Sequence, residues 1–296
     1  MKIIEDWVAN SSDQDSLFRQ AVHLILLAIS RDRGLSRKLV IKGGIAMSII
    51  YSSDRFTTDI DLSALDNIQD LSKEDVEESL SRQLKAVVAL SDYNIDLNIH
   101  SIKPSPKHIE KATFPAYKAT IGYADSTNAN AIKRLEDKNA PQTVSLDISF
   151  NEELAPEYTE AYKLDERHHV LVYSLEQLVA EKYRSLLQQV KRKRNRRQDI
   201  YDIYHLLNDE TNNLQNESVK KTILERLIIS SKNRDIEEYL NANALQDGEI
   251  RKRALEDFDT LKSEIKVRIP AEKMYKAVQE YFESLPWNEI PYSHNK

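Results

Sequence analysis

Two aspartates stand at i and i+2 in Thr58-Asp59-Ile60-Asp61-Leu62, where polar and apolar residues alternate as in a strand. Side chains at that spacing project to one face, and two like charges so placed repel unless a cation neutralises them. Hard carboxylate oxygens suit Mg²⁺ bound together with phosphates. Fifteen residues upstream lies Lys42-Gly43-Gly44, ahead of a short apolar stretch that reads as helix, Ile45 to Tyr51. Glycines there expose backbone N–H groups that a phosphate can approach without a β-carbon in the way. An acidic pair alone is more often a solvated surface, and it is the glycine turn that strengthens the phosphate reading.

Three further features carry charge in informative places. Asp147 lies within Thr143-Val-Ser-Leu-Asp-Ile-Ser-Phe150, where alternation gives Ser145, Asp147 and Ser149 one face and Val144, Leu146, Ile148 and Phe150 the other. That face is either solvated or the source of a third carboxylate from a strand beside Asp59 and Asp61. Lys182 lies within the apolar stripe of a helix, with Leu178, Val179 and Leu186 as neighbours, so it must snorkel or meet an anion. Lys191-Arg192-Lys193-Arg194-Asn195-Arg196-Arg197 holds six basic residues in seven positions. Such a run is either a solvated connection between helices or a contact for a nucleic-acid backbone or nucleotide phosphates. Asp199 and Asp202 follow at i, i+3, placed to cap, to pair with Lys182 or to orient the basic residues.

Composition bounds the classes these residues can serve. The chain has 296 residues, 41% hydrophobic and 30% charged, with a net charge of −6. It holds only 5 glycines, where average usage of ~7% would give about 20, so long helices and few tight turns are expected. With no cysteine, disulfide frameworks, thiolate zinc sites and cysteine nucleophiles are excluded. HExxH, GxSxG, GxGxxG and the Walker loop are absent. The opening MKIIEDWVAN is acidic where a signal peptide is basic and then apolar, and Ala21 to Ile29 is too short to span a membrane, so a cytoplasmic protein is expected. An acidic chain touches nucleic acid only through a local basic patch.

Helices are expected over 13–31 and 73–90, and strands over 93–102, 116–123 and 143–150. From Ser174 the pattern turns helical. Ser174-Leu-Glu-Gln177 is a capping box opening a helix to about Val190. Helices are then expected over 198–207, 219–230, 249–266 and 270–285, the last with Pro270 at its first position. These readings divide the chain into an α/β half, residues 1–165, and a helical half, residues 166–296.

In family order, Lys42-Gly-Gly-Ile-Ala-Met-Ser48, Arg55-Phe-Thr-Thr-Asp-Ile-Asp-Leu62, Val144-Ser-Leu-Asp-Ile148, Val172 to Lys182 and Arg197-Gln-Asp-Ile-Tyr-Asp-Ile-Tyr204 resemble the AbiEii/AbiGii nucleotidyltransferase toxins, which include the MenT-type toxins. The resemblance covers roughly residues 15–210. It implies an α+β fold: a polymerase-β-like nucleotidyltransferase core, a mixed sheet with helices, followed by a helical C-terminal domain. It implies NMP transfer from an NTP to RNA, in the MenT branch to tRNA 3′ ends, which blocks translation, and a cognate antitoxin as partner. Asp59 and Asp61 are then expected to hold Mg²⁺, as two ions, with Asp147 as third carboxylate. Lys182 would bind phosphate, with Asp199 or Asp202 in the acidic position after the basic run. Lys42, Gly43, Gly44, Ser48 and Arg55 would line the nucleotide, and Lys191 to Arg194, Arg196 and Arg197 the RNA. The sequence departs from the superfamily in having Gly43-Gly44 for Gly-Ser and Ile45 for the usual Thr, so two phosphate-facing hydroxyls are missing. The alternatives weighed are nucleotidyl transfer to a small molecule or protein, and an inactive nucleotide- or RNA-binding module.

Overall fold

A computed structural model of the chain describes residues 4–12, 15–261, 264–265 and 269–289. Asp13 and Gln14 of the expected first helix lie outside the described residues, as do Lys262, Ser263 and Lys266 of the helix expected over 249–266. The chain forms two compact units: Met1–Ser52 with Thr57–Tyr173, and Ser53–Phe56 with Ser174–Lys296.

The first unit holds, among the described residues, a seven-stranded mixed sheet in the order β3-β4-β5-β2-β1-β7-β6. Its strands are β1 (Leu39–Lys42), β2 (Asp59–Ala64), β3 (Ile95–Ser105), β4 (Ala116–Asp125), β5 (Thr143–Ser149), β6 (Thr159–Lys163) and β7 (His169–Tyr173). β2 runs parallel to β5, and β1 parallel to β7, while the other neighbours are antiparallel. The β6–β7 hairpin is a finding, since its short strands carry little alternation in sequence. Helices α1 (Ile4–Ala9), α2 (Ser16–Arg31), α3 (Arg33–Ser36), α4 (Gly43–Ile49), α5 (Lys73–Leu90) and α6 (Ala129–Glu136) complete the unit.

Alternation decides which sheet face is covered. In β5, Val144, Leu146 and Ile148 are fully buried, and between them Ser145, Asp147 and Ser149 are half-exposed. The buried set joins one core with Ile60 and Leu62 of β2, Leu24, Ile25 and Ile29 of α2, and Val76, Leu80, Leu84 and Val87 of α5. Each such aliphatic side chain contributes about 1.5–3 kcal/mol on burial. Helix α5 matches its expected span because Ser72 caps it, accepting a hydrogen bond from the Asp75 amide at 3.1 Å.

The second unit is helical: α7 (Leu175–Arg192), α8 (Arg197–Leu207), α9 (Glu217–Ser230), α10 (Gly248–Leu255), α11 (Phe258–Leu261) and α12 (Ala271–Glu283). Its central helix is α7, with Leu178, Val179, Tyr183, Leu186 and Leu187 buried and α8, α9 and α10 packed around it. Ser174 caps it as expected, accepting from the Gln177 amide at 3.3 Å. The capping box is completed differently, because Gln177 Oε1 accepts from Arg226 Nε at 2.6 Å. The helix expected over 249–266 is broken, since Asp257 takes a left-handed φ of 56° between α10 and α11. Pro270 sits one position earlier than expected, as the N-cap of α12.

Candidate active site

In the first unit the chain turns from β1 directly into α4 at Gly43, whose φ is +69°. That left-handed geometry favours glycine. A β-carbon at Gly43 would also overlap the Asp61 carboxylate, so the backbone lies against that side chain with nothing between. Asp61 is set by strand pairing: it stands opposite Lys42 on β1 and Asp147 on β5. Asp59 is exposed at the start of β2, two residues along on the same face, opposite Ser145. The expectation that Asp147 comes from the strand beside the aspartate pair therefore holds, and in register.

The carboxylates do not stand alone. Lys118 of β4 lies opposite Asp147, and its Nζ is 3.2 Å from Asp147 Oδ2. Lys42 is buried, with its ammonium 3.3 Å from Glu152 Oε1 and 5.8 Å from the centre of the Tyr173 ring. Below it Tyr173 and Ser63 share a 2.6 Å hydrogen bond, and Ser149 Oγ donates to the Leu62 carbonyl at 3.0 Å. Glu152 and Lys118 are missing from the sequence reading. Lys118 was legible, since it belongs to the alternation of 116–123, but the pairing that sets it beside Asp147 is not written in either strand. Ser48 is buried within α4.

Three carboxylates on one sheet face, Asp59, Asp61 and Asp147, suit a hard divalent cation by donor chemistry. Among the described residues no group of three or more His, Cys, Asp and Glu side chains is gathered as a metal cluster.

The second unit brings together a different set. Asp202, fully buried, accepts from Lys182 Nζ at 2.6 Å and from Arg55 through a two-pronged contact, Nε–Oδ1 at 2.9 Å and Nη2–Oδ2 at 3.0 Å. Burial alone would raise the Asp202 carboxyl, yet Lys182 and Arg55 outweigh it and hold it down at about 2. Asp199 goes the other way: burial raises it, and Lys182 at 3.7 Å and Arg196 at 3.8 Å only partly offset that. Its Oδ2 is buried without a hydrogen bond. Arg55 reaches this unit because its segment belongs to it: Tyr201 donates to Asp54 Oδ1, and the Phe56 amide to the Glu264 carbonyl at 2.9 Å.

The basic run is split between two situations. Lys191 to Arg194 are exposed at the end of α7, with Lys191 3.0 Å from Glu238 and Lys193 in the left-handed C-cap. Arg196 and Arg197 are half-buried, 3.8 Å from Asp199 and 4.0 Å from Glu264.

A mixed sheet sets paired carboxylates beside a glycine turn, in a chain that continues as a helical unit. The chain belongs to the nucleotidyl transferase AbiEii toxin family of type IV toxin–antitoxin systems, whose sequence model matches residues 25–284. Membership implies an NTP substrate and an antitoxin partner. No curated protein matches the chain. Among solved structures it is similar to JHP933 from Helicobacter pylori, at 18% identity over 93% of this chain and 97% of that one, with a TM-score of 0.42. It is also similar to MenT4, a nucleotidyltransferase toxin from Mycobacterium tuberculosis, at 13% identity over 95% and 97% of the two chains, with a TM-score of 0.41. Among the described residues no helix is long and apolar enough to cross a membrane.

Proposed function

We propose that this protein transfers a nucleoside monophosphate from an NTP to the 3′ end of an RNA, foremost a tRNA, and so blocks translation in the cytoplasm. The acceptor's 3′ oxygen forms a bond to the α-phosphorus, the bond from that phosphorus to the bridging oxygen breaks, and pyrophosphate leaves with the electron pair. The hydroxyl proton passes to water. The observation that carries the reading is Asp61 held against Gly43 and in register with Asp147.

Asp59, Asp61 and Asp147 are the residues that would hold Mg²⁺. Bound there, the metal supplies neutralisation of phosphate charge and a lowered pKa for the attacking hydroxyl. The chain's own part is positional. Gly43 lets the turn into α4 pack directly against Asp61, and Lys42 and Ser48 are buried on either side of the glycine pair in sequence. In the helical unit Lys182 is the proposed phosphate ligand, and Asp202 fixes both its ammonium and the Arg55 guanidinium. The exposed stretch Lys191 to Arg194 supports a polyanionic acceptor, since a small acceptor needs no such surface.

The test is incubation of the protein with each α-labelled NTP, Mg²⁺ and total tRNA, followed by a denaturing gel. Label on tRNA from one preferred NTP, lost in Asp61→Ala, is the expected result. Label on a protein or small molecule alone, or transfer that survives Asp61→Ala, overturns the reading.

A further inference from the structure

The strand register aligns five charged residues in one row across the sheet. Lys42 stands opposite Asp61, Asp61 opposite Asp147, Asp147 opposite Lys118, and Lys118 opposite Lys103. Residues directly opposite on neighbouring strands share a face. The row therefore runs on one face from β1 to the edge strand β3, changing sign from negative in the middle to positive at the edge. Exposure grows along it: Lys42 is buried, Asp61 and Asp147 are half-buried, and the Lys118 side chain is 58% exposed. Lys103 is exposed too and forms no ion pair among the described residues.

Structural roles account for this poorly. A lysine on an edge strand guards against unwanted pairing, which would suffice for Lys103. Lys118 has no such duty, because β4 is paired on both sides, by β3 and β5. Its ion pair with Asp147 is solvent-exposed, and such pairs are typically worth under ~1 kcal/mol. Strands lie about 4.8 Å apart, so Lys118 and Lys103 stand roughly 10 and 14 Å from Asp61 along the row. Two cations at successive strand spacings, leading away from the carboxylates, suit a chain of phosphates better than a single one.

We propose that Lys118 and Lys103 form a landing for the phosphate backbone of the acceptor RNA, leading its end along the sheet face to Asp59 and Asp61. This deepens the RNA-acceptor reading and rests on it. A phosphate that takes the Lys118 ammonium also releases Asp147 from its pair.

The experiment is a titration of labelled total tRNA with the full chain at several salt concentrations, without NTP or metal. It compares wild type, a Lys103→Ala/Lys118→Ala variant, and Lys85→Ala, an exposed lysine on α5. The double variant should bind tRNA several-fold more weakly and flatten the log K against log salt slope by about 1.4, at ~0.7 per neutralised phosphate for single strands. Lys85→Ala should follow wild type. Because Lys118→Ala also unmasks Asp147, it is repeated in an Asp147→Asn background, where the loss should persist. Superimposed slopes, or a loss that disappears in that background, overturn the landing while leaving RNA as acceptor. A wild-type protein that does not bind tRNA overturns the landing and the RNA reading together, and the labelling gel then reports the true acceptor.

Discussion

Gly43 carries no β-carbon because one there would overlap Oδ2 of Asp61, and its φ of +69° lies where an L side chain is strained. Gly43→Ala should therefore cost about 1–2 kcal/mol of stability for the backbone conformation and more for the collision. It should also abolish transfer, because Asp61 must move. In Gly43→Ala/Asp61→Ala the clash with the carboxylate is gone, leaving the backbone strain and a 3.1 Å approach between the two β-carbons. The double variant should melt above the value that adding the two single effects gives, which a double-mutant cycle of thermal melts checks.

Asp59→Ala and Asp61→Ala should each reduce nucleotide transfer below detection with the fold intact. The two carboxylates share one strand face, so removing either relieves repulsion in the metal-free protein. Melting temperature should hold or rise, and full activity in either variant would remove the metal-site reading.

Asp202 and Asp199 should respond oppositely to neutralisation. Asp202 is held down at about 2 against an ordinary value near ~3.9, so its stabilisation is complete above ~4 and is lost as pH falls towards 2. Asp202→Asn leaves Lys182 and Arg55 without their buried anion and should cost on the order of 3–5 kcal/mol at neutral pH. Asp199 has a raised carboxyl, so its ionised form costs stability at neutral pH and that cost fades on acidification. Asp199→Asn should hold or raise the urea midpoint at pH 7. Midpoints measured from pH 7 to pH 3 test both signs.

Lys182→Ala should raise the Kd for NTP while leaving tRNA affinity near wild type, because a buried ammonium is not an RNA-facing one. It also removes one of two cations from Asp202, at a cost of about 1.5–3 kcal/mol. Unchanged NTP affinity with that stability loss would assign Lys182 to bracing the helical unit alone.

Replacing Lys191, Arg192, Lys193 and Arg194 by Ala should flatten the salt dependence of tRNA binding by ~0.7 units of slope for each single-strand phosphate that these side chains neutralise. Thermal stability should barely move, since these four are exposed. NTP affinity should be unaffected. Slopes that superimpose on wild type would remove the run from the RNA surface.

Local pattern in the sequence determined much of this protein. Strict alternation over 143–150 named both the buried face of β5 and the side of Asp147, because strand periodicity is a property of the chain itself. Helix α5 was legible to the residue because its cap and apolar stripe are both local. The two-residue spacing of Asp59 and Asp61, and the glycine pair before them, were likewise enough to suggest a metal and phosphate chemistry. What the tertiary structure alone decided is who stands opposite whom. Nothing in residues 116–123 says that Lys118 faces Asp147, and nothing in 151–153 says that Glu152 meets Lys42. The same holds for Arg55, which reads in sequence as part of the approach to the aspartate strand and in the fold clasps Asp202, far along the chain. Register and long-range ion pairs arise when distant segments share one core, and burial fixes their partners by leaving a buried charge no cheaper neighbour.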